Sequence, residues 1–130
     1  MTAKKVLLEA ARLVQRGWAQ RTRRQNAEGF PCDYGHGVRW CPIGAIYDVV
    51  VAHYGKQDIT GYDARTAAIR ILAEHLKKAW PFWFALQVDP IVLQVDPTSI
   101  VVNWNDAPDR TQEQVVAAML AAAKSEEEHA

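Results

Sequence analysis

The chain has no run approaching the roughly 18 uninterrupted apolar residues that a membrane-spanning helix needs. Its opening apolar stretch, Val6 to Leu8, is cut by Glu9 and is too short for the core of a secretion signal. Cysteine is scarce. Cys32 and Cys41 could pair geometrically but are expected as thiols in a reducing cytosol, and with no Cys-x-x-Cys pair they lack the usual zinc spacings. Net charge is absent too, since 15 basic and 15 acidic residues cancel, and this weighs against a general nucleic-acid binder. What remains is 130 residues that are 49% hydrophobic, enough for one packed core. These features predict a cytoplasmic single domain over residues 1–124, followed by an acidic frayed tail over 125–130.

Charge is unevenly placed along the chain. Residues 1–24 carry seven basic groups against Glu9, whereas residues 104–130 are predominantly acidic. This polarity either steers an anionic partner to one end or is cancelled by the two ends lying together.

Periodicity predicts an α+β, mostly helical fold with about four helices and a small antiparallel β element before the last helix. Leu7, Ala11, Val14 and Trp18 recur at helical spacing, with Thr2 as N-cap and Gly17 as C-cap. Lys5 and Glu9 on the opposite face have the spacing of an ion pair. Residues 20–37 read as a long loop, and long loops in compact domains are often functional. A second helix starts at Cys41 with Pro42 in its first turn and runs to Tyr54, where Gly44 and Ala45 leave room for another backbone. Asp63 reads as the N-cap of a third helix that turns Ile69, Leu72, Leu76 and Ala79 inward and stops before Pro81. Its other face shows Arg65, Arg70, Glu74 and Lys77 to water. From Phe82 to Trp104, β-branched and aromatic residues with Pro90 and Pro97 predict short strands, of which Ser99 to Trp104 is the best. That segment contains Leu-Gln-Val-Asp-Pro twice, at 86–90 and 93–97, as a duplication absorbed by an edge or loop. Thr111 and Gln114 have capping-box spacing ahead of the last helix.

Four groupings bear on chemistry. Cys41 at a helix N-terminus, with His36 as a base, has the elements of a cysteine-dependent or metal-assisted hydrolase, against the plainer reading of a buried thiol and weak cap. Cys32, His36, Cys41 and His53 could supply zinc ligands, yet helix rise separates Cys41 from His53 too far for one ion. Asn103, Asn105, Asp106 and Asp109 suit a divalent cation, but equally an ordinary turn and N-cap. No cofactor and no metal is therefore expected. Arg21, Arg23 and Arg24 beside Trp18 resemble a basic patch, with a solvated arginine run as the plainer reading, and Trp80, Phe82, Trp83 and Phe84 form an aromatic cluster suited to an interface.

Gly17-Trp18, then Trp40-Cys41-x-x-Gly44-Ala45, then Trp104-Asn105-Asp106 with Arg110-Thr111, occur in an order that resembles a family of short uncharacterised bacterial and bacteriophage proteins. The resemblance implies no catalytic residue and no ligand; a phage or mobile-element origin would imply a protein that binds and inhibits a host or defence protein. The reading at this level is a non-enzymatic protein-binding module, or a homo-oligomer, meeting its partner through Arg21, Arg23 and Arg24 or through Trp80, Phe82, Trp83 and Phe84. Nucleic acid is the less favoured partner and no membrane is involved. The alternative is the hydrolase centred on Cys41 with His36.

Overall fold

The computed structural model describes residues 1–87 and 96–128. Among the described residues the chain forms six helices, not the four or so expected, and one two-stranded antiparallel sheet: α1 (Ala3–Arg16), β1 (Arg24–Gln25), β2 (Arg39–Trp40), α2 (Pro42–Tyr54), α3 (Ile59–Ala79), α4 (Pro81–Gln87), α5 (Pro97–Asn105) and α6 (Gln112–Glu128). The sheet joins β1 to β2 with Arg24 opposite Trp40, so the β element lies between α1 and α2 and not before the last helix. Most of the duplicated segment lies outside the described residues.

α1 keeps the bounds that its pattern predicts, with the Thr2 side chain accepting from the Lys5 N–H and Gly17 closing the last turn on Leu13. It packs against α6, α2 and α3, burying Val6, Leu7, Ala10, Ala11 and Val14. The rest of the core comes from Ile46 on α2, Leu72 and Leu76 on α3, Val101 and Trp104 on α5, and Val115 and Met119 on α6. Each fully buried aliphatic side chain of this kind contributes about 1.5–3 kcal/mol. The two chemically opposed ends of the sequence therefore lie together. They are joined by neutral hydrogen bonds: Gln112 Nε2 donates to the carbonyl oxygens of Val14 at 2.8 Å and Gln15 at 3.1 Å. Arg24 forms an ion pair with Asp48, whereas the Lys5–Glu9 pair suggested by spacing is not formed.

Three further expectations are corrected. α3 begins one turn earlier than Asp63, because Asp58 caps it by accepting from the N–H groups of Thr60 at 2.8 Å and Gly61 at 3.3 Å. Gly61 inside that first turn permits a close crossing, since a Cβ there would lie 2.9 Å from the Cβ of Tyr54 on α2. At the other end Ala79 is exposed, not inward.

The second correction concerns residues 82–104, where helices replace the expected strands. Pro81 and Pro97 each sit in a first helical turn, where the missing N–H costs nothing. Asp96 then acts as an N-cap, accepting from the Thr98 N–H at 3.0 Å and the Ser99 hydroxyl at 3.0 Å. Ile100, Val101 and Trp104 fall on one buried helical stripe. Packing has overridden the β propensity of Ile and Val.

The third correction is Arg24, which is buried where a solvated run was expected. Successive residues of a strand point to opposite faces, so β1 and its approach turn Arg23 to solvent and Arg24 inward.

Candidate functional site

The segment from Gly17 to Gln25 threads between β2 and α5, and its hydrogen bonds place the arginines. Ala19 N–H donates to the Trp40 carbonyl at 3.1 Å, and Cys41 N–H to the Arg23 carbonyl at 3.0 Å. On the other side the Asn105 side chain, fully buried, accepts from Trp18 Nε1 at 2.8 Å and donates to the Ala19 carbonyl at 3.1 Å. Gln20 Nε2 bridges the carbonyls of Asn105 and Ala107, both at 2.9 Å. Arg21, held at φ 66, gives its backbone N–H to Asp106 Oδ1 at 2.9 Å. Of the turn residues considered as cation ligands, Asn105 and Asp106 are thus committed to tethering the 17–25 segment.

That tethering projects Arg21 and Arg23 over a groove between α2, α3 and α5. Tyr47, Tyr62 and Arg65 line two adjoining hollows of about 350 and 300 Å³. Arg23, Ile43 and Thr98 are shared by the second hollow and a third of about 250 Å³, which ends at Arg21 and Asp106. Tyr47 is the organising ring: the guanidinium carbon of Arg65 lies 5.1 Å from its centroid, that of Arg23 5.6 Å and that of Arg24 5.9 Å. Arg65 also sits 4.9 Å from the Tyr62 ring. Ring faces attract these cations but supply no lone pairs. Arg24 is neutralised by Asp48, whereas Arg23 and Arg65 have no carboxylate within 4.0 Å among the described residues. Their donors are therefore open to an incoming acceptor, while Asp96 and Asp106 contribute negative charge to the same walls.

Cys41 caps α2 by accepting from the Gly44 N–H at 3.4 Å, and it is 4% exposed. Burial pushes its thiol above the ordinary value, and the Gly44 and Ile43 N–H groups only partly oppose that. His36 is exposed in the loop and does not bond the sulfur. Cys32 is half-buried and His53 is exposed; among the described residues no group of three or more His, Cys, Asp and Glu could hold a metal ion.

The aromatic cluster is mostly turned inward. Phe84 is buried in the core, and Trp80 and Trp83 pack over Arg110, whose guanidinium carbon lies 4.4 Å and 5.3 Å from their ring centroids. Trp104 closes the same cage at 4.2 Å. Arg110 Nε donates to the Trp104 carbonyl at 2.9 Å, while Arg110 Nη2 and Trp104 Nε1 are buried without a partner. Burial lowers the guanidinium pKa from its ordinary value, with Asp109 opposing. Phe82, 83% exposed, is the ring of this cluster that faces solvent, one turn before the equally exposed Leu86.

Of the arginines expected at a site, Arg21 and Arg23 reach the groove rim and Arg24 supports it from below. Tyr47, Tyr62 and Arg65 were not legible as site residues. Their signal is only the tyrosines of α2 and α3 and an arginine on a face assigned to water.

Residues 1–125 match the family of unknown function DUF6197. The chain belongs to that family. No curated protein and no solved structure matches it. Among the described residues no helix is long and apolar enough to cross a membrane. The motif residues of the chain have architectural tasks: Trp18 and Asn105 bond each other, Trp40 bonds Asp48, and Cys41 caps α2.

Proposed function

We propose that this DUF6197 protein is a non-enzymatic module that binds a protein partner through the arginine–tyrosine groove. The observation carrying this reading is the pair Arg23 and Arg65, two guanidiniums placed over one tyrosine ring without a carboxylate partner among the described residues. Arginine and tyrosine are the residue types that dominate binding hot spots, and a guanidinium pairs bidentately with a carboxylate. Asp96 and Asp106 on the groove walls disfavour a continuous phosphate backbone and suit a segment in which acidic side chains alternate with other residues. In this reading the chain works in the cytoplasm, and for a phage or mobile element it would occupy and inhibit a host or defence protein. The alternative hydrolase draws little support from Cys41, which borders the third hollow but is buried, with its thiol pKa raised and no histidine bonded to it.

The test is charge reversal at the groove. Arg23→Glu with Arg65→Glu changes solvent-accessible groups and should leave the circular dichroism and Tm of the protein nearly unchanged. Cross-linking in a native host lysate, read by mass spectrometry, should show specific partners of the wild-type chain that disappear with the double variant and at high salt. Partners retained by the charge-reversed protein would overturn the reading.

A further inference from the structure

A second cavity, of about 600 Å³, lies on the other side of the Arg24–Asp48 pair, between α1 and α2 and beneath the 33–37 loop. Its construction is specific. Asp48 is held at its floor by Arg24 and by Trp40 Nε1 at 2.9 Å. Arg24 Nη1 also donates to the Cys32 carbonyl at 3.2 Å, which ties the loop to that floor. Gly37 completes the join, because a Cβ there would lie 3.2 Å from both Arg24 Cβ and Trp40 Nε1.

On its walls two cations face one unpaired carboxylate. Arg12 and Arg16, four residues apart on α1, both line the cavity, and neither has a carboxylate within 4.0 Å among the described residues. Like charges at that spacing repel each other along a helix face, and an anion placed between them relieves the repulsion. The Arg16 guanidinium carbon stands 6.0 Å from the Trp40 ring centroid, which turns that cation over the cavity base. Glu9 is the opposing wall charge, since Asp48 is neutralised and does not repel an anion. Leu13, Val49 and Trp40 supply apolar surface. Volume, a few polar groups and an apolar wall together match a site for a small molecule.

We infer that this cavity binds a small organic anion, with carboxylate or phosphate oxygens on Arg12 and Arg16 and an apolar ring against Leu13, Val49 and Trp40. The inference stands apart from the groove, which shares none of these residues.

Isothermal titration calorimetry on the full chain tests it with six probes: adenosine monophosphate and 4-hydroxybenzoate as ring-bearing anions, adenosine and inorganic phosphate as the separated parts of the first, and phenol and acetate as those of the second. At least one ring-bearing anion should saturate with a Kd below about 1 mM, and the separated parts should bind roughly 10-fold more weakly or worse. Saturation by the phosphate ester alone, or by the carboxylate alone, supports the site and names the anion. Arg12→Ala with Arg16→Ala should weaken that binding roughly 10-fold. Ala52→Trp, which fills the cavity from an exposed position on α2 without altering charge, should abolish it. Arg23→Glu with Arg65→Glu should leave it unchanged. Failure of both ring-bearing anions to saturate, or binding that survives the Ala52→Trp change in a folded protein, would overturn the inference.

Discussion

Arg24 and Asp48 meet through two hydrogen bonds, Nη2 to Oδ1 at 2.6 Å and Nε to Oδ2 at 3.0 Å, with both side chains buried. The pair fastens β1 to α2 and stands between the groove that holds Tyr47 and the cavity floored by Trp40. Removing one partner leaves an uncompensated buried charge, which typically costs about 3–5 kcal/mol. Arg24→Ala and Asp48→Ala should each show that loss in urea unfolding. The double change Arg24→Met with Asp48→Leu should be markedly milder, because it removes both charges and keeps volume. Equal losses for single and double variants would deny the pair its structural role.

Asn105 is the corresponding hub at the other end of the 17–25 segment. Asn105→Ala deletes the acceptor of Trp18 Nε1 and the donor to the Ala19 carbonyl, leaving buried groups unpaired. Each such group costs about 1–3 kcal/mol, so the variant should melt well below the wild type. Trp18→Phe should recover part of the loss in the double variant, since it removes one orphaned donor. A double-mutant cycle gives the coupling.

These two hubs show why part of the molecule could be read from residue order and part could not. α1, the start of α2 and the capping box of α6 depend on neighbours within a turn: the Thr111 N–H donates to Gln114 Oε1 at 3.0 Å, and the Gln114 N–H to Thr111 Oγ1 at 3.2 Å. Local signals suffice there. Arg24 needed a partner 24 residues away, and the only hint was Asp48, an acid in the otherwise apolar run of α2. The strand expectation at 99–104 failed for a related reason, because Pro97 was counted against a helix when it opens one behind the Asp96 N-cap. The groove brings Arg23, Tyr47 and Arg65 together from three segments, which no local pattern encodes.

Cys41 should be slow to alkylate. With Cys41 4% exposed and its pKa raised, iodoacetamide at neutral pH should modify half-buried Cys32 first and reach Cys41 only in denaturant. Because the folded-state pKa lies above the unfolded value near 9.0, the thiol's contribution to stability is complete below that value. It is lost as pH rises through the folded-state pKa. Unfolding free energy should therefore decline in alkaline solution, and less so in Cys41→Ala. Rapid labelling of native Cys41 would revive the hydrolase.

Gly44 carries the sharpest steric prediction. A Cβ at this position would lie 1.9 Å from the Arg23 carbonyl oxygen, the same oxygen that accepts from the Cys41 N–H. Backbone presses on backbone there, so no rotamer change relieves the overlap, and β1 must move away from α2. Such a shift would loosen the Arg24–Asp48 pair and carry Arg23 off Tyr47, joining a stability defect to a defect at the groove. Gly44→Ala should accordingly cost about as much as the larger core substitutions, roughly 3 kcal/mol or more. Gly29→Ala is the control: its φ of 85 strains an alanine, but nothing lies within 4 Å of the added carbon. That change should cost only about 1–2 kcal/mol. Paired urea titrations of the two variants measure the difference, and equal losses would show that the approach of Arg23 to α2 is not as close as 1.9 Å implies.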